Sequence, residues 1–210
     1  DSYYIQYYPE PAVADSLGDE TSAFFWQRVE TLPAKKIISL IDGTLIKRLH
    51  IHLASDPGNK FNTCRKYRGV EISNSTWFSS KAKLREQIEK SAFYFAPRIY
   101  EGIGQSFLDA MAMGRCVIAV NNPTANEYIK SGYNGILYNY SDNVLEHLEK
   151  VRDIQKNALL SVEQGFELWQ KNKIGLLKWM KQTLKIRPLV VFDSTILLNL
   201  NRPGTSRTGI

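Results

Sequence analysis

Apolar positions along this 210-residue chain follow two alternating periods, short continuous runs and helical spacing. Runs rich in β-branched and aromatic residues recur at 23–26, 49–54, 93–97, 117–120 and 135–138, and helix-spaced segments stand between them. The pattern predicts a strand at 23–26, a helix over 34–43 with Ile37, Ile38 and Ile41 on its apolar face, and a strand at 49–54. Pro33 serves as a helix start signal. Residues 70–78 are β-prone but interrupted by Asn74 and Ser75, so strand and loop both stay open there. A polar helix follows over 79–91, with Ser80 as N-cap and Leu84 and Ile88 on one face. Next come a buried strand at 93–97, a tight turn at Gly102 and Gly104, a helix over 105–113 and a strand at 117–120. A short helix over 125–130 and a last strand at 135–138, introduced by Asn134-Gly135, lead to long helices at 144–157 and 162–184. Strands alternating with helices at this spacing predict a doubly wound parallel α/β sheet, Rossmann-like, covered on both faces.

The ends read differently. Residues 3–8 are β-prone and stopped by Pro9 and Pro11, and 12–22 are polar and weakly patterned, so 1–22 is expected to be a linker. The chain opens on Asp1, as expected of a piece cut from a longer protein, so the lack of a targeting segment says nothing about the parent. The apolar run near the other end, 189–200, is broken by Asp193, Ser194 and Asn199 and is too short to span a bilayer.

Composition narrows the class only slightly. Hydrophobic residues make up 43% and charged residues 23%, as in an ordinary globular domain. Cys64 and Cys116 lie far apart, which predicts reduced thiols and a cytoplasmic setting. The formal charge of +6 suits a nucleotide diphosphate, a nucleic acid or an acidic membrane surface, including peripheral membrane association of the parent. The basic residues are scattered without aromatic interleaving, so no nucleic acid partner is expected. The sequence lacks Asp-x-Asp, His-Glu-x-x-His, paired Cys-x-x-Cys and Gly-x-Ser-x-Gly motifs, so no metal site is expected. His50, His52 and His147 read as surface or packing residues. His50 and His52 share one face of the predicted strand.

The chemistry concentrates in 93–139. A strand, a glycine turn and a helix start make an anion site, because the first N–H groups of a helix have no intrahelical partner and its dipole favours negative charge. The glycines by themselves would suit any nucleotide. The loop at 27–33 lies at the carboxyl end of a predicted parallel strand, where such sheets bind ligands.

Glu101 and Asp109 stand eight residues apart across this turn. Their setting, YEGIGQSFLDAMAMGRCVIA, resembles the glutamate-x7-glutamate segment of the family-4 retaining glycosyltransferases, which have the two-domain GT-B fold. The second acid here is Asp, one methylene shorter. The resemblance covers about 23–184 and implies a nucleotide-sugar-binding half. It makes Glu101 the contact to the donor sugar, Gly102, Ile103, Gly104, Gln105 and Ser106 the diphosphate cradle, and Asp109 the ribose contact. It also implies that Arg28, with Lys35 or Lys36, neutralises the leaving diphosphate without a metal. Glycine usually precedes that arginine in the family, and this chain has Gln27. Trp77 and Phe78 fall where the family packs the nucleotide base, although an aromatic pair in an α/β domain is more often core. Glu127 matches a commonly acidic position and is expected to cap or orient its helix.

The resemblance further implies transfer of a sugar, with retention, from a nucleotide diphosphate sugar to a glycan acceptor, as in polysaccharide or lipopolysaccharide-type synthesis. No cofactor beyond the donor is implied. The acceptor would bind through a missing N-terminal domain, which leaves this piece with little activity by itself. The helix over 162–184 resembles the closing helix of such a domain, and the tail at 185–210 resembles the opening of a further module, with an exposed tail or an added strand on this domain as the alternatives. The competing readings are a non-catalytic nucleotide-binding or structural module and a sugar-nucleotide epimerase.

Overall fold

In the computed structural model of this chain, residues 3–12, 14, 16–55, 58, 66–67, 69–142 and 144–186 are described. They fall into two compact units, one built on Gln6–Trp169 and the other on the chain ends, Asp1–Ile5 with Gln170–Ile210.

The larger unit is a seven-stranded sheet in the order β3-β4-β2-β1-β5-β6-β7. Its strands are β1 (Asp19–Trp26), β2 (Arg48–His52), β3 (Lys66–Tyr67), β4 (Val70–Ser75), β5 (Ser91–Phe95), β6 (Cys116–Val120) and β7 (Ile136–Tyr138). Six are parallel, and β3 alone runs antiparallel, against β4 at the edge. The helices are α1 (Ala34–Ile41), α2 (Lys81–Glu89), α3 (Gln105–Ala112), α4 (Pro123–Tyr128) and α5 (Val151–Ile186). This is the expected doubly wound α/β sheet.

Interior strands of a parallel sheet are buried on both faces, and every residue of β5 and β6 is buried. Period-two alternation divides them between two cores. Phe25, Phe93, Phe95 and Ile118 meet Ile37, Ile38 and Ile41 of α1 on one face. Phe24, Tyr94, Val117 and Ala119 meet Phe107, Leu108 and Met111 of α3 on the other. Ser80 caps α2 as expected, accepting from the Lys83 N–H.

Two expectations need correction. The strand predicted at 23–26 begins at Asp19, so the last residues of the expected linker belong to the sheet. Residues 16–18 are also held in place. The Arg115 guanidinium donates to the Ser16 carbonyl, and Arg152 and Gln155 donate to those of Leu17 and Gly18. These clamps come from far along the chain, so local composition could not signal them. The helices predicted at 144–157 and 162–184 are one helix, α5. Residues 158–161, Ala-Leu-Leu-Ser, contain no breaker, and the Ser161 hydroxyl donates back to the Asn157 carbonyl within the helix. Residues 70–78, left open by the sequence, contain β4. The tail expected at 185–210 lies outside the described residues from 187 onward, as does Cys64.

Candidate functional site

The chain winds from β1 to β2 and β4 on one side, then returns to place β5 on the other side of β1. Loops leaving β1 and β5 therefore diverge to opposite faces, and a crevice opens at their carboxyl ends. Arg28 stands in the first loop and Glu101 in the second.

The β1 loop is tied to its neighbours. The Gln27 N–H donates to the His52 carbonyl at 3.0 Å, and the half-buried Arg28 guanidinium lies 4.6 Å from the centre of the Trp26 ring. The β5 loop is pinned from α4. The Asn122 side chain donates to the Ile99 carbonyl at 2.9 Å, and the Thr124 hydroxyl donates to the Glu101 carbonyl at 2.5 Å. The Glu101 carboxylate is 13% exposed and lies 3.7 Å from the Arg98 guanidinium.

Gly104 sits at the N-cap of α3 with φ of +76°. A Cβ there would stand 2.0 Å from Cε1 of the buried Phe107 ring. Gly104→Ala should therefore cost about 2 kcal/mol from the left-handed backbone and the displaced ring. Thermal melts would read that loss, and a melting temperature equal to wild type would refute it. A Cβ at Gly102, by contrast, would meet open space, and the α3 N-terminus begins just beyond it at Gln105 and Ser106.

Tyr94 is the residue that links these groups. Its ring is buried in β5, stacked on Phe24 at 5.6 Å, and its hydroxyl is hydrogen-bonded to Ser106. Burial drives its pKa far up. Ser106 pulls it down, the nearby Asp109 and Glu101 charges push it up, and Arg28 pulls it down. Ser106 thus bonds this hydroxyl, and the charges of Arg28, Glu101 and Asp109 act on it from a longer range. Asp109 is solvent-accessible but crowded by protein, and this desolvation outweighs the pull of Lys81 and raises its pKa to about 6. Solvent screening at an exposed group weakens the shift.

The two lysines sit elsewhere on α1. Lys35 is exposed, whereas Lys36 donates to the Asp142 carbonyl at 3.0 Å and lies over the Tyr140 ring at 5.2 Å, beyond β7. At the β2 and β4 ends, Trp26, His52, Trp77 and Phe78 form an aromatic cluster. His52 stacks on Phe78 at 4.9 Å, and Trp77, 63% exposed, meets Trp26 edge-on.

Sequence reasoning missed Tyr94, Arg98, Asn122 and Thr124. A hydroxyl inside an otherwise apolar interior strand was the available signal for Tyr94, because such a group needs a partner. His50 and His52 were expected as surface or packing residues, and both are buried. His50 bonds Ser73 and Ser75 at 2.8 Å, and His52 bonds Ser75 at 2.9 Å. Among the described residues no cluster of three or more His, Cys, Asp or Glu is arranged to hold a metal ion.

The family described as glycosyl transferases group 1 matches residues 34–157. An uncharacterized glycosyltransferase of Methanocaldococcus jannaschii is 28% identical over 111 residues, which is 50% of this chain and 28% of that protein. The chain thus spans under a third of that relative's length. Among solved structures, the C-terminal domain of a glycosyl transferase group 1 family protein from Francisella tularensis superposes with a TM-score of 0.54 at 16% identity. That match covers 73% of this chain and 94% of the other. HepE of Anabaena, solved with UDP and glucose, superposes with a TM-score of 0.57 at 13% identity, covering 75% and 48%. At these identities the two structures speak to fold. The family match covers more than half of the chain and includes the Glu101 to Asp109 segment, so the chain belongs to the glycosyl transferases group 1 family.

Proposed function

We propose that this chain is the donor-binding half of a retaining glycosyltransferase that takes a hexose or deoxyhexose from a nucleoside diphosphate sugar. The observation that carries the reading is the position of Arg28 and of the Glu101 to Asp109 segment beyond the carboxyl ends of β1 and β5, where the strand order reverses. Glu101, beside Arg98, accepts hydrogen bonds from sugar hydroxyls. The Gly102 to Ser106 backbone and the α3 start meet the diphosphate, and Asp109 meets the ribose. The aromatic cluster around Trp77 offers a flat face for the base.

In the reaction, negative charge grows on the leaving phosphate as the glycosidic bond breaks. The Arg28 guanidinium stabilises that charge, and its cation–π seat on Trp26 limits the reorganisation needed. The leaving phosphate then takes the acceptor proton, so no metal or separate base is required. The glycan acceptor binds through another domain of the parent protein, in polysaccharide or lipopolysaccharide-type synthesis, and this chain by itself has little transferase activity. The parent works in the cytoplasm.

Calorimetry tests the assignment residue by residue. UDP is the first nucleotide to try, because structural relatives bind it, with GDP and TDP beside it. Arg28→Ala should weaken UDP and UDP-glucose alike by about ten- to a hundredfold, the usual worth of a charged hydrogen bond. Glu101→Ala should weaken UDP-glucose and leave UDP unchanged. If none of the three nucleotides bound the wild type, the donor-site reading would fail.

A further inference from the structure

We propose, resting on the donor-site reading in which Arg28 meets the diphosphate, that Tyr140 is a positioning residue for the Arg28 loop, with Lys36 as its partner. Strands β1 and β7 are separated in the sheet by β5 and β6, so no ladder hydrogen bond joins them. The loops that follow them nevertheless meet at the carboxyl end of the sheet. The Tyr140 hydroxyl donates to the Thr31 carbonyl at 3.0 Å, across 109 positions of chain. The Lys36 ammonium donates to the Asp142 carbonyl at 3.0 Å and lies 5.2 Å from the centre of the Tyr140 ring.

The turn that presents Tyr140 is braced before it reaches the other loop. The Asp142 N–H donates to the Asn139 carbonyl at 3.0 Å and closes a four-residue turn. The Asp142 carboxylate accepts from the Asn139 amide and from the Ser141 hydroxyl, each at 3.0 Å. Local side-chain bonds of this kind hold a turn in one conformation. At the root of the turn the Asn121 N–H donates to the Tyr138 carbonyl at 2.8 Å, which fastens it to the end of β6. The Tyr140 hydroxyl and the Asp142 carbonyl are therefore offered from a fixed base.

The loop at 27–33 needs such a hold. It is tied at its start, where the Gln27 N–H meets the His52 carbonyl, and Leu32 is buried near its end. Glu30 and Thr31 between these ties are exposed, and Thr31 is the residue that Tyr140 grips. A cation stabilises a leaving phosphate best when it is already in place, since reorganising it during bond cleavage adds to the barrier. A loop loose at Thr31 would instead spend binding energy on its own ordering. Lys36 thereby takes a different part from the diphosphate contact that the resemblance implied, because its ammonium is engaged at the β7 turn.

The test is calorimetry of the whole chain with UDP. Tyr140→Phe removes the bond and keeps the ring, and Lys36→Met removes the ammonium and keeps most of the stem. Each should weaken UDP about three- to tenfold, the worth of one hydrogen bond. The double variant should lose no more than about tenfold, because both side chains act through one loop. On an Arg28→Ala background neither substitution should weaken UDP further. That background also separates positioning from unfolding, since a misfolded variant loses affinity with or without Arg28. Wild-type affinity in Tyr140→Phe, or a loss that persists in full on the Arg28→Ala background, would overturn the proposal. So would a Lys36→Met loss that adds in full to that of Tyr140→Phe, the mark of a direct diphosphate contact. If UDP, GDP and TDP all failed to bind the wild type, or Arg28→Ala bound UDP as the wild type does, the donor-site reading itself would fail and this role with it.

Discussion

Arg115→Ala is expected to destabilise the larger unit by about 3–5 kcal/mol, lowering its melting temperature by about 10 °C. The Arg115 side chain is wholly buried, and its guanidinium donates to the carbonyls of Met113, Glu89, Ser91 and Ser16. Those oxygens belong to the α3 end, the α2 end, the start of β5 and the segment leading into β1. One fork thus ties four stretches of chain together at the amino end of the sheet. Burial pulls the pKa of Arg115 down to about 10, against the opposing pull of Glu89, so the side chain stays cationic near neutral pH. Removing it leaves several buried carbonyls without donors and opens a cavity, and each such orphan costs about 1–3 kcal/mol. Arg115→Lys should fall between, because an ammonium offers three donors without the planar fork. Chemical denaturation of the three proteins measures the order. A Lys variant as stable as wild type would show that charge, and not the fork, holds the four segments.

Acidification from pH 7 to pH 4 is expected to remove about 3–5 kcal/mol of stability through His50 and His52. Burial pulls both rings down from 6.5 to about 4, with Lys90 adding to the shift at His50 and His50 adding to it at His52. Above pH 6.5 the rings are neutral whether the chain is folded or not, and they cost nothing. As pH falls below 6.5 the unfolded chain takes up protons that the folded one refuses, so stability declines until about pH 4, where the folded rings also charge. The rings share Ser75 and repel when charged, so their contributions do not simply add. Asp109 acts in the opposite sense. Its raised pKa lets the folded state accept a proton first, so acidification towards pH 4 favours folding there. Comparison with His50→Asn plus His52→Asn cancels that and every other carboxylate effect. Denaturant midpoints of wild type and the double variant should converge as pH drops, and parallel curves would sink the assignment.

The fold was legible because parallel-sheet strands must be apolar on both faces. Runs such as 93–97 and 117–120 therefore stand out against the polar helix over 79–91. The glycine turn was legible for a similar reason, since Gly104 needs a positive φ that few other residues adopt. Tyr94 was hidden within an apolar run, and the end of the linker was hidden because Arg115, Arg152 and Gln155 hold it from about a hundred or more residues away. The unity of α5 was not legible in apolar phase, which shifts where a helix passes from one core to the other. Ile154 lies in one core and Ala158 in the other.

The amino-acid sequence by itself determined the order of strands and helices, the anion-ready turn after β5 and the acids at 101 and 109, because each depends on residues close together in the chain. Only the tertiary structure decided that Arg28 and Glu101 flank one crevice. That follows from the reversal of strand order between β1 and β5, a long-range pairing that local pattern does not encode. It also decided that a buried tyrosine hydroxyl bonds Ser106 and that two buried histidines are kept neutral near pH 7. Each of these depends on what the surrounding chain excludes from water.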